Sequence, residues 1–371
     1  MRTSSSITVK TRLAASRTTT APAQVTSVVS GKDLGRFRRA LLRWYDRHRR
    51  DLPWRKTRDP YRIWLSEIML QQTRVAAVLE HYRIFLERFP NVEALAAASE
   101  DAVLAAWSGL GYYGRARRLR QCAQELVRKH GGQFPQSAHA FLALPGIGRY
   151  TAAAIASIVF AEPVAVVDGN VERVLQRLIG VNLTKPQTWQ HAQALLANSR
   201  PGDFNQAMME LGATVCLPRE PKCPTCPVRN WCATQNDLQH PYRTMERRAS
   251  PPGRTSTLTK GYQVKKQIWC VLSQRNDHIR LLQRPKKASL MPSMWELPQS
   301  SVPPRPLPSS AHWRTFRHSI TITDYTIHVL RNMPSLNTLS AAKGKWIAIA
   351  RIPQIPITGL TRKILRAGGI I

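Results

Sequence analysis

Cys216, Cys223, Cys226 and Cys232 stand in the spacing C-x6-C-x2-C-x5-C and make up four of the chain's six cysteines. Four thiols so close in sequence leave the surrounding chain few options. They close a small loop around a metal centre, pair as two disulfides, or are buried as separate core residues. Such tight spacing is unusual for independent core thiols. Only one C-x2-C pair is present and no histidine lies among the four, whereas a zinc ribbon shows two such pairs. The spacing therefore suits an iron–sulfur cluster better, with zinc as the alternative. Arg219, Lys222 and Arg229 lie on the same stretch, so a stapled loop here presents cations to a phosphate backbone. Thiolate ligation also implies a reducing compartment, the cytoplasm or an organelle interior.

A chain of 371 residues can build two or three domains with sizeable cores. Its formal net charge of +33 and pI near 11.1 point to a polyanionic partner, nucleic acid before an anionic membrane. No apolar run approaches a membrane span, and no clear basic amphipathic helix favours a membrane surface. Residues 1–30 are rich in Ser, Thr, Ala and Arg, and the first acidic residue is Asp33. They read as a disordered basic tail. Residues 233–261 are polar and basic around Pro251-Pro252-Gly253 and read as an interdomain linker.

Between them, residues 31–232 are expected to be helical. Ile63, Trp64, Ile68 and Met69 recur at helical spacing over 61–70, as do Val75, Val78, Leu79, Tyr82, Phe85 and Phe89 over 75–89. Further helices are expected at 33–48, 92–98, 100–108, 115–129, 137–142, 150–160, 170–178, 187–198 and 203–214. Residues 262–371 read as a smaller α+β domain, with strands at 267–272, 278–283, 320–330 and 345–349.

Three stretches carry candidate chemistry. In L-P-G-I-G-R-Y-T over 144–151, Gly146 and Gly148 allow a tight turn whose amides can meet a phosphate at a helix N-terminus. In V-A-V-V-D-G-N over 164–170, Asp168 taken alone reads as a helix N-cap. In I-W-L-S-E-I-M-L-Q-Q-T over 63–73, Glu67 sits on an otherwise apolar helix, where burial would raise its pKa and hold a proton near neutrality.

Taken in order, these stretches and the cysteine loop resemble the endonuclease III and MutY-type adenine DNA glycosylases of the helix-hairpin-helix superfamily. The resemblance covers roughly residues 33–350 and is strongest before 233. It implies a mainly α helix-hairpin-helix glycosylase fold with an iron–sulfur loop, plus a C-terminal α+β MutT-like (Nudix-like) domain. It implies a 4Fe-4S cluster on the four cysteines and a hairpin at Gly146 and Gly148 that anchors duplex DNA. Glu67 would be the general acid and Asp168 the carboxylate facing the anomeric carbon, with Tyr150 and Asn170 positioning Asp168 and the sugar. Bifunctional relatives carry a Schiff-base lysine where Tyr150 stands, so the resemblance implies base removal without efficient strand cutting.

Leu52-Pro53-Trp54-Arg55 is also similar to the family and would bring Arg55 beside the adenine pocket. Gln72, Leu110 and Tyr112 would fill the space around the displaced base, and Gln206 would read the adenine edge. In the C-terminal part, Met294 to Pro298 and the run Phe316-Arg317-His318 look like the MutT-like domain, where Phe-Ser-His is usual. Arg317 replaces the serine that helps tell 8-oxoguanine from guanine, and is expected to take over that contact, with Ser319 as the alternative. Residues 261–371 contain only Asp277, Glu296 and Asp324 as acids, too few for a magnesium-dependent hydrolase. That domain should recognise rather than hydrolyse. The implied function is removal of adenine mispaired with 8-oxoguanine or guanine by a monomer acting on double-stranded DNA in the cytoplasm, at the nucleoid. The alternatives are another helix-hairpin-helix mismatch glycosylase and a non-catalytic iron–sulfur DNA-binding protein.

Overall fold

The computed structural model describes residues 29, 31–236, 264–304, 311–320, 323–331 and 344–371. Most of the expected tail and of the expected linker lies outside these residues. Val29, inside the expected tail, is buried against the helical core.

The helical part runs α1 (Lys32–His48), α2 (Pro60–Leu70), α3 (Val75–Arg88), α4 (Val92–Ala97), α5 (Glu100–Trp107), α6 (Gly114–His130), α7 (Ala138–Phe141), α8 (Arg149–Phe160), α9 (Gly169–Ile179), α10 (Lys185–Leu195), α11 (Pro201–Thr214) and α12 (Ala233–Asn236). The expected helices all form, with ends shifted by one to a few residues. Local chemistry sets several starts. Asp59, Asn91 and Ser99 cap α2, α4 and α5 by accepting backbone N–H bonds, and Pro60 occupies the first turn of α2, where its missing N–H costs nothing.

These helices enclose two cores. One gathers α2, α3, α5, α6 and α8 around Trp64, Phe85, Trp107 and Phe141; the other gathers α1, α9, α10 and α11 around Phe37, Leu175 and Phe204. The extended segment 164–167 runs along their seam. Val164 and Val166 face the first core, Ala165 and Val167 the second, which is the alternation of an extended strand. Buried Asn205 fixes it by accepting from Val166 N at 3.1 Å and donating to Val164 O at 2.9 Å. The segment delivers Asp168 to the seam.

The C-terminal part holds β1 (Val264–Leu272), β2 (Gln274–Arg275), β3 (His278–Gln283), β4 (Trp295–Glu296), β5 (Gln299–Ser300), β6 (His312–Ile320), β7 (Thr323–Arg331), β8 (Lys345–Ala348) and α13 (Gly359–Ala367). One sheet has the order β5-β1-β7-β6, with β1 and β7 parallel; in the other, β3 pairs with β2, β4 and β8. The single strand expected at 320–330 is thus the end of β6 and most of β7. β6 has no alternating apolar face, being largely exposed apart from Phe316, so its sequence lacks the strand signal. The helix α13, which buries Leu360, Ile364 and Leu365, was also not foreseen. Met294 from this part is fully buried in the first helical core, so the two parts share packing.

Helices α9 and α11 meet closely because Gly212 has no side chain. A Cβ there would lie 2.6 Å from Asn170 Cβ and 3.0 Å from Asn170 O. Gly212→Ala is therefore expected to destabilise the fold by about 1–3 kcal/mol through overpacking. Thermal unfolding checks this, and an unchanged midpoint would contradict so close a helix contact.

Candidate active site

Helix α2 is buried on nearly every side, and Glu67 lies within it at 6% exposure. Tyr150, from the start of α8, donates its hydroxyl to Glu67 Oε2 at 2.7 Å and lies 3.4 Å from Met209 Sδ. Burial pushes the Glu67 pKa up to about 7; the Tyr150 bond and Arg55 oppose the rise, while the charge of Asp168 adds to it. Burial also raises Tyr150 well above the usual phenol range, so it remains a neutral donor.

Asp168 does cap α9. Its Oδ1 accepts from Asn170 N at 2.9 Å and Val171 N at 2.7 Å, and its Oδ2 accepts from Asn170 Nδ2 at 2.9 Å. Asn170 thus holds both carboxylate oxygens of Asp168, one through its backbone and one through its side chain. Tyr150, from α8 of the same core as α2, donates to Glu67 and lies within electrostatic reach of Asp168. The helix N-terminus and three N–H donors make the Asp168 position a setting for negative charge. One carboxyl is buried with a single neutral donor, and the other is half-buried in a polar cap.

Arg55 is held by a carboxylate that the sequence did not single out. Glu210 is fully buried, accepting from Arg55 Nη2 at 2.8 Å and from Arg50 at Nε (2.8 Å), Nη2 (2.7 Å) and backbone N (3.0 Å). Burial pushes Glu210 up, but the bonds from Arg50 and Arg55 outweigh it and hold the carboxyl at about 2. Arg55 and Gln206 line a cavity of about 370 Å³ together with Trp54, Arg58 and Arg200; Glu67, Tyr150 and Asp168 are not on its wall.

Two loops expected to enter the duplex are brought together by Arg115. This buried side chain donates to Ile68 O and Met69 O at 2.9 Å, Gln71 O at 2.5 Å and Thr73 Oγ1 at 3.0 Å. It also reaches Leu110 O at 3.4 Å and Gly111 O at 3.3 Å, and stacks its guanidinium 5.5 Å from the Tyr112 ring centre. Burial lowers its pKa to about 10. Gln72 and Tyr112 both adopt left-handed backbone, φ 57° and 49°, a strained conformation for such residues. Tyr112 is 59% exposed and Gln72 is exposed, whereas Leu110 is buried beneath them. Gly146, at φ 79°, sits where a Cβ would meet Arg118 at 2.8 Å, and both Gly146 and Gly148 are exposed ahead of α8.

Cys216, Cys223, Cys226 and Cys232 are all free thiols and line one cavity of about 40 Å³ with Arg177 and Arg229. They do not pair as disulfides. Among the described residues no group of three or more His, Cys, Asp or Glu is placed to hold a single metal ion. Arg177, missed in the sequence, anchors the loop by donating to Cys216 Sγ at 3.3 Å, Leu217 O at 2.6 Å and Pro218 O at 2.7 Å. Arg219, Lys222 and Arg229 are exposed on it.

In the C-terminal part Phe316 is buried, Arg317 exposed and His318 half-buried on β6. Burial, then the charge of Lys363, lowers the His318 pKa. Ser319 is engaged with Asp324 at 2.5 Å, Asp277 with His278 at 2.6 Å and Glu296 with Arg284 at 2.7 Å, so the three acids of this part are dispersed. Among the described residues no helix is long and apolar enough to cross a membrane.

Stability should report the Glu67 proton. Its folded pKa near 7 exceeds the ordinary 4.5, so the folded state holds the extra proton and is favoured at low pH, losing that advantage as pH rises from 4.5 to 7. Glu210, depressed to about 2, acts in the opposite sense below 4.5 and is common to any Glu67 variant. Urea unfolding of wild type and Glu67→Gln between about pH 4 and about pH 8 should show wild type losing about 3 kcal/mol relative to the variant. Parallel pH profiles would show that Glu67 ionises normally.

Residues 65–198 match the HhH-GPD superfamily of base excision DNA repair proteins. Over 215 residues the chain is 50% identical to the adenine DNA glycosylase of Rattus norvegicus, covering 54% of this chain and 42% of that one. Over 317 residues it is 37% identical to the adenine DNA glycosylase of Arabidopsis thaliana, covering 74% of this chain and 49% of that one. The chain thus spans rather less than half the length of these two relatives. Among solved structures it resembles a thermostable thymine-DNA glycosylase, with 32% identity, a TM-score of 0.52, and coverage of 55% of this chain and 96% of that one.

Proposed function

This chain belongs to the HhH-GPD superfamily of base excision DNA repair proteins, and from that premise we propose that it is a monofunctional adenine DNA glycosylase acting on adenine mispaired with 8-oxoguanine or guanine in duplex DNA. The observation that carries the reading is the buried Glu67 carboxyl, raised to about 7 and held by Tyr150, within electrostatic reach of Asp168. Two carboxyls in opposed surroundings are what glycosidic cleavage by acid assistance needs.

Glu67 protonates N7 of the extruded adenine, which makes the base a better leaving group. The bond between N9 and the sugar C1′ breaks and its electron pair leaves with adenine. Asp168 stabilises the positive charge on the sugar, or bonds to C1′ for the life of the intermediate. Glu67, now a carboxylate, takes a proton from the attacking water, whose oxygen ends on C1′. Tyr150 keeps Glu67 oriented and offers no amine for a sugar adduct. Arg55, fixed by Glu210, and Gln206 contact the base, and Gln72 and Tyr112 enter the stack it leaves.

The domains would be a catalytic unit over 31–232 and a Nudix-like recognition unit over 262–371, whose scattered acids suit binding rather than hydrolysis. There Phe316, Arg317 and His318 would face the opposite base. The residues that would hold a 4Fe-4S cluster are Cys216, Cys223, Cys226 and Cys232. The bound cluster would staple the loop that shows Arg219, Lys222 and Arg229 to the DNA backbone. The protein would bind double-stranded DNA as a monomer.

Incubation with an adenine:8-oxoguanine duplex should give strand breaks only after alkali. Breaks without alkali would overturn the monofunctional reading, and none at all would overturn the adenine reading. Glu67→Gln should lower base release at least ~100-fold, the scale of a lost general acid, while still binding the duplex; near-normal turnover would defeat the acid assignment.

Cys226→Ser should weaken duplex binding and lower the unfolding temperature together, read by fluorescence anisotropy and calorimetry. Unaltered affinity and stability would rule out the stapling role.

A further inference from the structure

We propose that α13 mechanically couples the strand facing the opposite base to the loop that enters the duplex, through its adjacent residues Arg362 and Lys363, so that the opposite base controls extrusion of the adenine. The inference rests on the reading of β6 and of residues 109–112 given under Proposed function.

On one side, Arg362 Nε donates to Ser108 Oγ at 3.2 Å, and Ser108 Oγ donates to Ile357 O at 2.7 Å. Ser108 is 1% exposed and is the residue at which α5 ends, immediately before the Gly109-Leu110-Gly111-Tyr112 loop. The next residue, Gly109, has φ 111°, and a Cβ there would lie 3.0 Å from His81 Nε2 and 3.8 Å from Arg362 Cδ. The base of the loop is therefore clamped between α3 and the C-terminal part. Its tip, at Tyr112, is exposed.

On the other side, Lys363 Nζ donates to Arg317 O at 2.8 Å and lies 6.0 Å from the Phe316 ring centre. The two grips come from consecutive residues of one helix. That helix is itself rigidly seated: Thr358 Oγ1 caps it through Thr361 N at 3.3 Å, Thr358 N donates to Trp295 O at 2.9 Å, and Thr361 Oγ1 accepts from Leu297 N at 3.1 Å. A displacement of β6 towards or away from a base is passed to Ser108 without an intervening flexible segment. The Ser108–Ile357 bond is buried, the Arg362–Ser108 bond part-buried and the Lys363–Arg317 bond at the surface, and each polar link has two discrete states, made or broken, which is what transmission of a small shift requires.

Arg362 and Lys363 are positioning residues, and a structural role alone would not alter the ratio between opposite bases. Single-turnover adenine release is measured on duplexes with 8-oxoguanine or guanine opposite, using full-length wild type, Ser108→Ala, Arg362→Met, Lys363→Met and the Ser108→Ala/Lys363→Met double variant. Arg362→Met and Lys363→Met should each reduce the preference between the two bases at least ~5-fold, the lower end of ordinary coupling between sites, and Arg362→Lys should restore part of it. The double variant should do no more than either single change. Additive losses in the double variant, or an unchanged ratio in Arg362→Met, overturn the coupling. A wild type that releases no adenine from either duplex overturns the adenine reading instead.

Discussion

A carboxyl group shut inside a helical core and steadied by one phenol governs this structure. Ionising Glu67 in that place would leave a charge with few donors, so the carboxyl keeps its proton to near neutral pH. The contrast with Glu210 isolates the cause. Both are buried, but Glu210 receives four N–H bonds from two arginines and is held at about 2. Burial alone does not decide a carboxyl's state; the count and charge of its donors do. The seam between the two helical cores lets one protonated and one capped carboxyl share a site, since Glu67 comes from one side and Asp168 from the other.

Arg115 plays the corresponding part for the loops. A single guanidinium gathers the carbonyl oxygens at the end of α2 and those of the 110–111 turn, and among the described residues this buried cation has no carboxylate partner. Carbonyls at a helix C-terminus carry partial negative charge and compensate it. The two exposed residues beside it, Gln72 and Tyr112, are held in left-handed backbone that they would not adopt unaided. The strain is borne where the side chains must stand out from the surface.

The C-terminal part is not a loosely tethered appendage. Met294 enters the first helical core, Arg117 donates to Pro292 O at 2.8 Å, and Ser108 bonds to Ile357. The last of these runs to the base of the same loop that Arg115 organises. Asp277, Glu296 and Asp324 are dispersed onto separate partners, His278, Arg284 and Ser319, rather than gathered together.

The sequence by itself determined the helical class and the order of the helices, because apolar spacing, caps and prolines act over a few neighbouring residues. It also marked Glu67 by its apolar neighbours, Asp168 as a helix cap and the four cysteines by their spacing, all local facts, while Asn170 was marked only through the family resemblance. Only the tertiary structure decided which groups meet. Tyr150 lies 83 residues from Glu67, and Arg50 lies 160 from Glu210, separations at which no periodicity constrains a pairing. For that reason the bond from Tyr150 to Glu67 is decided by the tertiary structure, Glu210, Arg115 and Arg177 carry no mark in the sequence, and α13, a short helix with a plain amphipathic pattern, gains its importance only from what packs on either side of it.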